Sequence, residues 1–220
     1  SYLKMCHTGP DLVKCAIANG NAALPELLKG NEELKIPNML PLSFPEILTD
    51  TGNLRMKFNN LEVHGLDTVT LTDFRVDFDK RTIYVTIHAD KLEIRSQYDV
   101  DGKVLILPIK GNGKCVVELE NGDLEYTFKY RLEDKNGVEY SMVEPDDVME
   151  FKIEKAHYNF ENLFNGNKQL GDNVNKFMNE HPQEFLSEFS GTIKATLTSI
   201  ARDITRGVFQ NIPFKDLFIM

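Results

Sequence analysis

The 220-residue sequence predicts an α+β protein in which a long antiparallel sheet, apolar on one face, is followed by one long C-terminal helix. Two periodicities and the punctuation between them lead to that reading. From residue 53 to 160 apolar side chains recur at every second position, and from 182 to 209 they recur at every third or fourth. Asn165-Gly166-Asn167 separates the two regimes as a turn.

The elements follow in chain order. Asp11, after Pro10, is placed to cap a helix whose apolar positions are Leu12, Cys15, Ala16, Ala22, Ala23, Leu27 and Leu28, ending at Gly30 and weakened by Gly20 and Pro25. Pro37, Pro41 and Pro45 make residues 36–45 an extended linker. Strands are then expected at Leu54, Met56, Phe58, at Phe74, Val76, Phe78, and at Ile83, Val85, Ile87. The cleanest alternation is Leu124, Tyr126, Phe128, Tyr130, Leu132, with Glu125, Thr127, Lys129 and Arg131 between them. His64-Gly65, Asp79-Lys80, Asp101-Gly102, Asn121-Gly122 and Asn136-Gly137 read as turns, the last two as type I′ hairpins, which predicts an antiparallel meander.

Leu170, Val174, Phe177 and Met178 open the helical end. Past Pro182, a first-turn residue, come Phe185, Leu186, Phe189, Ile193, Leu197, Ile200, Ala201, Ile204, Val208 and Phe209, one apolar stripe along a helix about 42 Å long. Its partner must be the sheet. One helix offers about ten large apolar side chains, while the strand region turns roughly half of its side chains inward. Either the sheet curls around the helix and encloses spare apolar volume, or the core packs solid.

The longest uninterrupted apolar run is residues 104–109, interrupted in character by Pro108, against about 20 residues for a bilayer span, so membrane insertion is not expected. Net charge is −9, and the whole acidic excess lies in residues 61–180, with fifteen basic and twenty-four acidic side chains. No Lys/Arg cluster offers a footprint for nucleic acid or an anionic membrane.

Catalytic patterns are absent from the sequence. Gly111-Asn112-Gly113 has Val116 where a dinucleotide fingerprint needs glycine, and a strand follows it. Pro108 stands where a P-loop needs glycine. Asp99 and Asp101 begin a calcium-loop spacing that Val104 and Lys110 break. The histidines at 7, 64, 88, 157 and 181 are scattered, and Asp146-Asp147 reads as a solvated loop. The expectation is no enzyme, no cofactor and no metal.

Cys6 and Cys15 lie close enough to pair, which would stabilise the chain by roughly 2.7 kcal/mol through loop entropy. The alternative is two unrelated thiols; a metal site with His7 lacks a fourth ligand. Cys115 is left over, and no Asn-x-Ser/Thr sequon occurs. The start at Ser1 without methionine fits a mature secreted protein or a trimmed chain. Tyr126, Phe128 and Tyr130 are either core or the lining of a cavity whose tyrosine hydroxyls orient a greasy ligand. Fourteen Phe, seven Met and no Trp give an adaptable interior.

The chain resembles the insect takeout and juvenile hormone-binding protein family over essentially its full length. The matching stretches are the Cys6/Cys15 pair entering a helix, Lys29-Gly30-Asn31-Glu32-Glu33-Leu34-Lys35-Ile36-Pro37 with Leu40-Pro41-Leu42, and Phe58-Asn59-Asn60-Leu61-Glu62-Val63-His64-Gly65-Leu66. The most specific is the run from Tyr98-Asp99-Val100-Asp101-Gly102 through Pro108-Ile109-Lys110-Gly111-Asn112-Gly113. Asn162-Leu163-Phe164-Asn165-Gly166-Asn167, Leu170-Gly171-Asp172, Phe177-Met178-Asn179-Glu180 and Ile212-Pro213-Phe214-Lys215-Asp216-Leu217-Phe218 follow in order. His181-Pro182 replaces a common tryptophan, and Cys115 has no partner for the second disulfide of hormone-binding members, so the takeout branch fits better.

The resemblance implies one domain over residues 1–220, a long, highly curved antiparallel sheet wrapped around one long C-terminal helix with a shorter N-terminal helix, a TULIP-like super-roll. It further implies a Cys6–Cys15 disulfide and a secreted, extracellular carrier with a hydrophobic tunnel for a terpenoid, fatty acid or similar lipid. The apolar lining is expected from Val63, Phe74, Val76, Leu105, Leu107, Tyr126, Phe128, Tyr130, Phe177, Phe185, Phe189, Ile193 and Leu197. A surface-acting lipid-binding or defence protein, and a solid-cored interaction module, are the competing readings; the charge of −9 speaks against the first.

Overall fold

The structure is a computed structural model and describes residues 4–219. A two-residue strand β1 (Cys6–His7) leads into helix α1 (Leu12–Leu27), followed by β2 (Leu42–Asp50), β3 (Leu54–His64), β4 (Thr70–Asp77), β5 (Thr82–Val104), β6 (Leu107–Lys135), β7 (Val138–Val143) and β8 (Val148–Phe160). The helical end comprises α2 (Lys168–Glu180), α3 (Pro182–Glu188), α4 (Ser190–Phe209) and α5 (Phe214–Leu217), and β9 (Phe218–Ile219) then pairs in parallel with β1.

The large sheet runs β2-β3-β5-β6-β7, with β4 on β5 and β8 on β6, all antiparallel. It is not the simple meander expected: β5 takes β4 on its first half and β3 on its second, and β6 takes β8 along its middle and β7 on its last residues. Strands of 23 and 29 residues would stretch about 75 and 95 Å if straight, several times the roughly 17 Å radius of gyration of a compact chain this long, so they must bend.

The main bend is a crease crossing three strands. Register is intact at Ala89 with Gly122 and at Lys91 with Glu120, but Asp90 and Asn121 between them do not pair; Glu154 is skipped likewise between Ile153 and Lys155. Inward-facing positions change parity there. In β6 Cys115, Val117 and Leu119 face in before the crease, and Leu124, Tyr126, Phe128 and Tyr130 after it. Asn121 takes φ = 52°, and its amide donates to Glu154 Oε2 at 2.9 Å. The predicted Asn121-Gly122 hairpin is therefore a bend inside a strand, because the residues that tolerate positive φ in a type I′ turn serve a crease equally well. Asp101-Gly102 is also inside a strand, and the chain reverses at Leu105 and Ile106 instead. Asn136-Gly137 does form the expected hairpin, with φ of 58° and 83°.

Three further expectations are corrected. The proline-rich linker is shorter than read, because β2 already begins at Leu42 and carries Pro45; β2 is the edge strand, where a missing N–H costs no ladder bond. The N-terminal helix stops at Leu27, before Gly30. The 28-residue C-terminal helix is broken at Phe189 (φ −101°, ψ 0°) into α3 and α4. Ser190-Gly191 follows the break, a pair at which helices kink, while the buried Phe189 ring packs 5.0 Å from that of Phe185. Cys6 and Cys15 are joined in a disulfide, and the Asn19 amide donates to both sulfurs. Cys115 is free and buried.

Helices α2 and α3 pack on Tyr98, Tyr158 and Phe160 at one end of the roll, and α4, α5 and β9 pack on Tyr126, Phe128 and Tyr130 at the other. A third cluster, Leu28, Ile36, Met39 and Leu42, closes the side beside Ile200 and Ile204. At Gly102 (φ 141°) a Cβ would lie 2.2 Å from the Asn53 carbonyl oxygen, whereas at Gly122 its nearest neighbour is 3.7 Å away. Gly102→Ala should lose about 2 kcal/mol or more in urea unfolding, and Gly122→Ala less than about 1 kcal/mol.

Candidate functional site

Between the two ends of the roll the inward side chains do not meet. The helix side presents Phe185, Leu186, Phe189, Thr192, Ile193, Thr196, Leu197 and Ile200, one face at helical spacing across the α3–α4 break. Facing it are Phe44, Ile47 and Thr49 of β2, Phe58, Leu61 and Val63 of β3, Leu92 and Ile94 of β5, Cys115, Val117 and Leu119 of β6, and Phe151, Ile153, Tyr158 and Phe160 of β8. Where α4 carries threonines and the crease brings the small Ala89 and Gly122, a cavity of about 250 Å³ remains.

Its wall is nearly all hydrocarbon. Asp123 is the one lining residue with a carboxylate, and that group is engaged by His88 Nδ1 at 2.7 Å. Tyr158 donates its hydroxyl to the Pro182 carbonyl at 2.9 Å. Burial pushes the Cys115 thiol up to about 12, so it lines the cavity as a neutral group. Thr49 and Thr192 bond to each other through their hydroxyls at 3.0 Å. A larger depression beside Arg75, Asp77 and Tyr84 is open to solvent, and Arg75 there is held by Asp73 and the Tyr84 ring. Among the described residues no group of three or more His, Cys, Asp or Glu could hold a metal ion, and no helix is long and apolar enough to cross a membrane.

The structure brings Val63, Phe185, Phe189, Ile193 and Leu197 together on this wall. It places Phe74, Val76, Tyr126, Phe128 and Tyr130 elsewhere, in the aromatic cluster at the far end. Phe128 stacks 5.4 Å from Tyr126 and meets Phe209 edge-on at 5.3 Å, and Tyr130 lies 5.9 Å from Phe214, so these rings fill their space. Leu105, at φ = 54°, and Leu107 flank the β5–β6 hairpin tip, outside the cavity. Phe177 packs 4.7 Å from the His181 ring. The wall residues Phe44, Ile47, Phe58, Leu61, Val117, Leu119, Phe151 and Ile153 were not among the expected lining, although the alternation Cys115, Val117, Leu119 is as regular as the aromatic one.

Asp147 is not the solvated acid it resembled. Its side chain is 1% exposed and accepts a fork of hydrogen bonds from Arg202 of α4, and the Tyr126 hydroxyl donates to it at 2.5 Å. Burial pushes this carboxyl up, but the bonds from Arg202 and Tyr126 outweigh it and hold the group below the usual carboxylate range. The clamp fixes α4 to the β7–β8 loop and so sets the depth at which the helix sits over the sheet.

A curled antiparallel sheet lies over a helix, with an apolar cavity between them. The crystal structure of Takeout 1 from Epiphyas postvittana superimposes with a TM-score of 0.90, covering 99% of this chain and 100% of that one at 22% identity, which establishes the fold. The chain belongs to the haemolymph juvenile hormone binding protein (JHBP) family, whose model matches residues 1–219. Two relatives, the circadian clock-controlled protein daywake of Drosophila melanogaster and of Drosophila yakuba, are each 24% identical over 230 and 233 residues, covering 99% of this chain and 87% of theirs.

Because the Asp147 carboxyl is more acidic folded than unfolded, its contribution is present above the unfolded value and is lost as pH falls through the folded one. Asp147→Asn should therefore cost about 2 kcal/mol at neutral pH, discounted for the partly exposed Arg202. In urea titrations the gap from wild type should shrink once the pH drops below about 4.

Proposed function

We propose that this protein is an extracellular carrier that takes a long hydrophobic molecule, a terpenoid, fatty-acid-derived or similar lipid, into the cavity between sheet and helix and keeps it in solution. The observation that carries the reading is the cavity itself: an apolar space is held open under α4, beside an aromatic cluster that fills its own end of the roll. Empty apolar volume costs stability that a structural core would recover by packing, and a ligand recovers it instead. Membership of a family named for binding a hormone in haemolymph supports a binding protein over an enzyme. The Cys6–Cys15 disulfide supports an oxidising compartment.

Affinity in such a site comes from desolvation, about 0.8 kcal/mol per buried methylene. Binding should tighten roughly fourfold for each methylene added to a homologous series and level off once the cavity is full. Organic extraction of the purified protein, followed by mass spectrometry against a protein-free control, should release an apolar compound in stoichiometric amount. Ile193→Phe, which grows into the cavity from α4, should weaken binding at least about tenfold with little loss of thermal stability. No extractable compound, together with no thermal shift across terpenoids and fatty acids, would return the protein to the solid-core interaction reading.

A further inference from the structure

The cavity wall carries one polar feature whose bonding is incomplete. Thr49, 4% exposed on the edge strand β2, and Thr192, in the first turn of α4, both line the cavity, with their Oγ1 atoms 3.0 Å apart. Two hydroxyls bring two protons, and the bond between them uses one. Elsewhere on α4 the threonine hydroxyls donate to the carbonyl one turn back: Thr196 to Thr192, Thr198 to Lys194, Thr205 to Ala201. For Thr192 that carbonyl would be Glu188, on the far side of the break at Phe189, and among the described residues its hydroxyl bonds Thr49 instead. The break thus leaves the pair with a proton that no described residue accepts.

We infer that the Thr49–Thr192 hydroxyl pair is the hydrogen-bond anchor of the cavity, and that it selects ligands bearing a neutral oxygen acceptor over the matching hydrocarbon and the matching carboxylate. The inference rests on the carrier reading and adds the polarity of the cargo. An ester, ketone or ether oxygen takes the spare proton at little desolvation cost. An ionised carboxylate would lose its hydration with no compensating cation, because no Lys, Arg or His lines the cavity. The remaining polar groups are committed, Tyr158 to Pro182 and Asp123 to His88.

The test uses the full chain, wild type and Thr49→Val/Thr192→Val. This double substitution keeps both shapes and removes both hydroxyls, so no unpaired partner remains and stability should be nearly unchanged. Methyl dodecanoate, tridecane and dodecanoate are each titrated against bound N-phenylnaphthylamine above neutral pH. Wild type should bind the ester about twofold to tenfold more tightly than the hydrocarbon, and more tightly than the acid. The double variant should bind ester and hydrocarbon equally, with tridecane affinity kept within about twofold. Persistence of the ester preference in the variant, or acid binding as tight as ester in wild type, overturns the anchor while leaving the carrier intact. Displacement by none of the three from wild type overturns the carrier reading itself. Infrared spectroscopy of a carbonyl-labelled ester on wild type gives an answer that needs no variant: the bound carbonyl should absorb at lower frequency than in hydrocarbon solvent, and an unshifted band overturns the anchor.

Discussion

Strands of 23 and 29 residues on a chain this small cannot remain flat, and the curl that they must adopt governs the rest of the molecule. A straight sheet would offer one helix a strip of contact and leave most of its apolar face wet. By bending along the line of Asp90, Asn121 and Glu154 the sheet turns that face inward on both sides of the line. The same line brings Ala89 and Gly122 over the helix, and it is beneath them that side chains fail to fill the space. Curvature and cavity are two results of one deformation.

The two ends of the roll are then held differently. At one end the Phe160, Phe185 and Phe189 rings meet edge-on in series, and the Asn175 and Asn179 side chains of α2 bond the β8 backbone at Phe160 and Tyr158. At the other, the aromatic cluster is backed by Asp147, Arg202 and Tyr126, a polar group set of fixed geometry that a pure hydrocarbon contact could not orient as tightly. The Tyr126 hydroxyl belongs to this clamp, and its ring packs on Phe128 outside the cavity.

Much of this architecture was legible in the residues. The period-two run around Tyr126 and the cysteine pair each led to the element found, and the stripe from Phe185 to Phe209 led to α3 and α4 without revealing the break at Phe189. What was not legible is non-local. Asn121-Gly122 and Asn136-Gly137 are the same dipeptide with the same tolerance of positive φ; one reverses the chain and the other creases it, and the difference is that neighbouring strands continue past the first. Because parity flips at the crease, the lining could not be extrapolated from the aromatic stripe to Cys115, Val117 and Leu119. Asp147 looked like a loop acid because its partner stands 55 residues away.

The parallel pairing of β1 with β9 joins Cys6 to Phe218, almost the two ends of the described chain. Closing a loop of that length is entropically slow, and it is the last event the topology permits. The sheet can be laid down hairpin by hairpin as the chain leaves the ribosome, with α1 tethered early through its local disulfide. Its greasy concave face has to wait for α4, and the final seam for residues beyond 214. During synthesis, therefore, the surface that later shelters a lipid is the surface most in need of shelter itself.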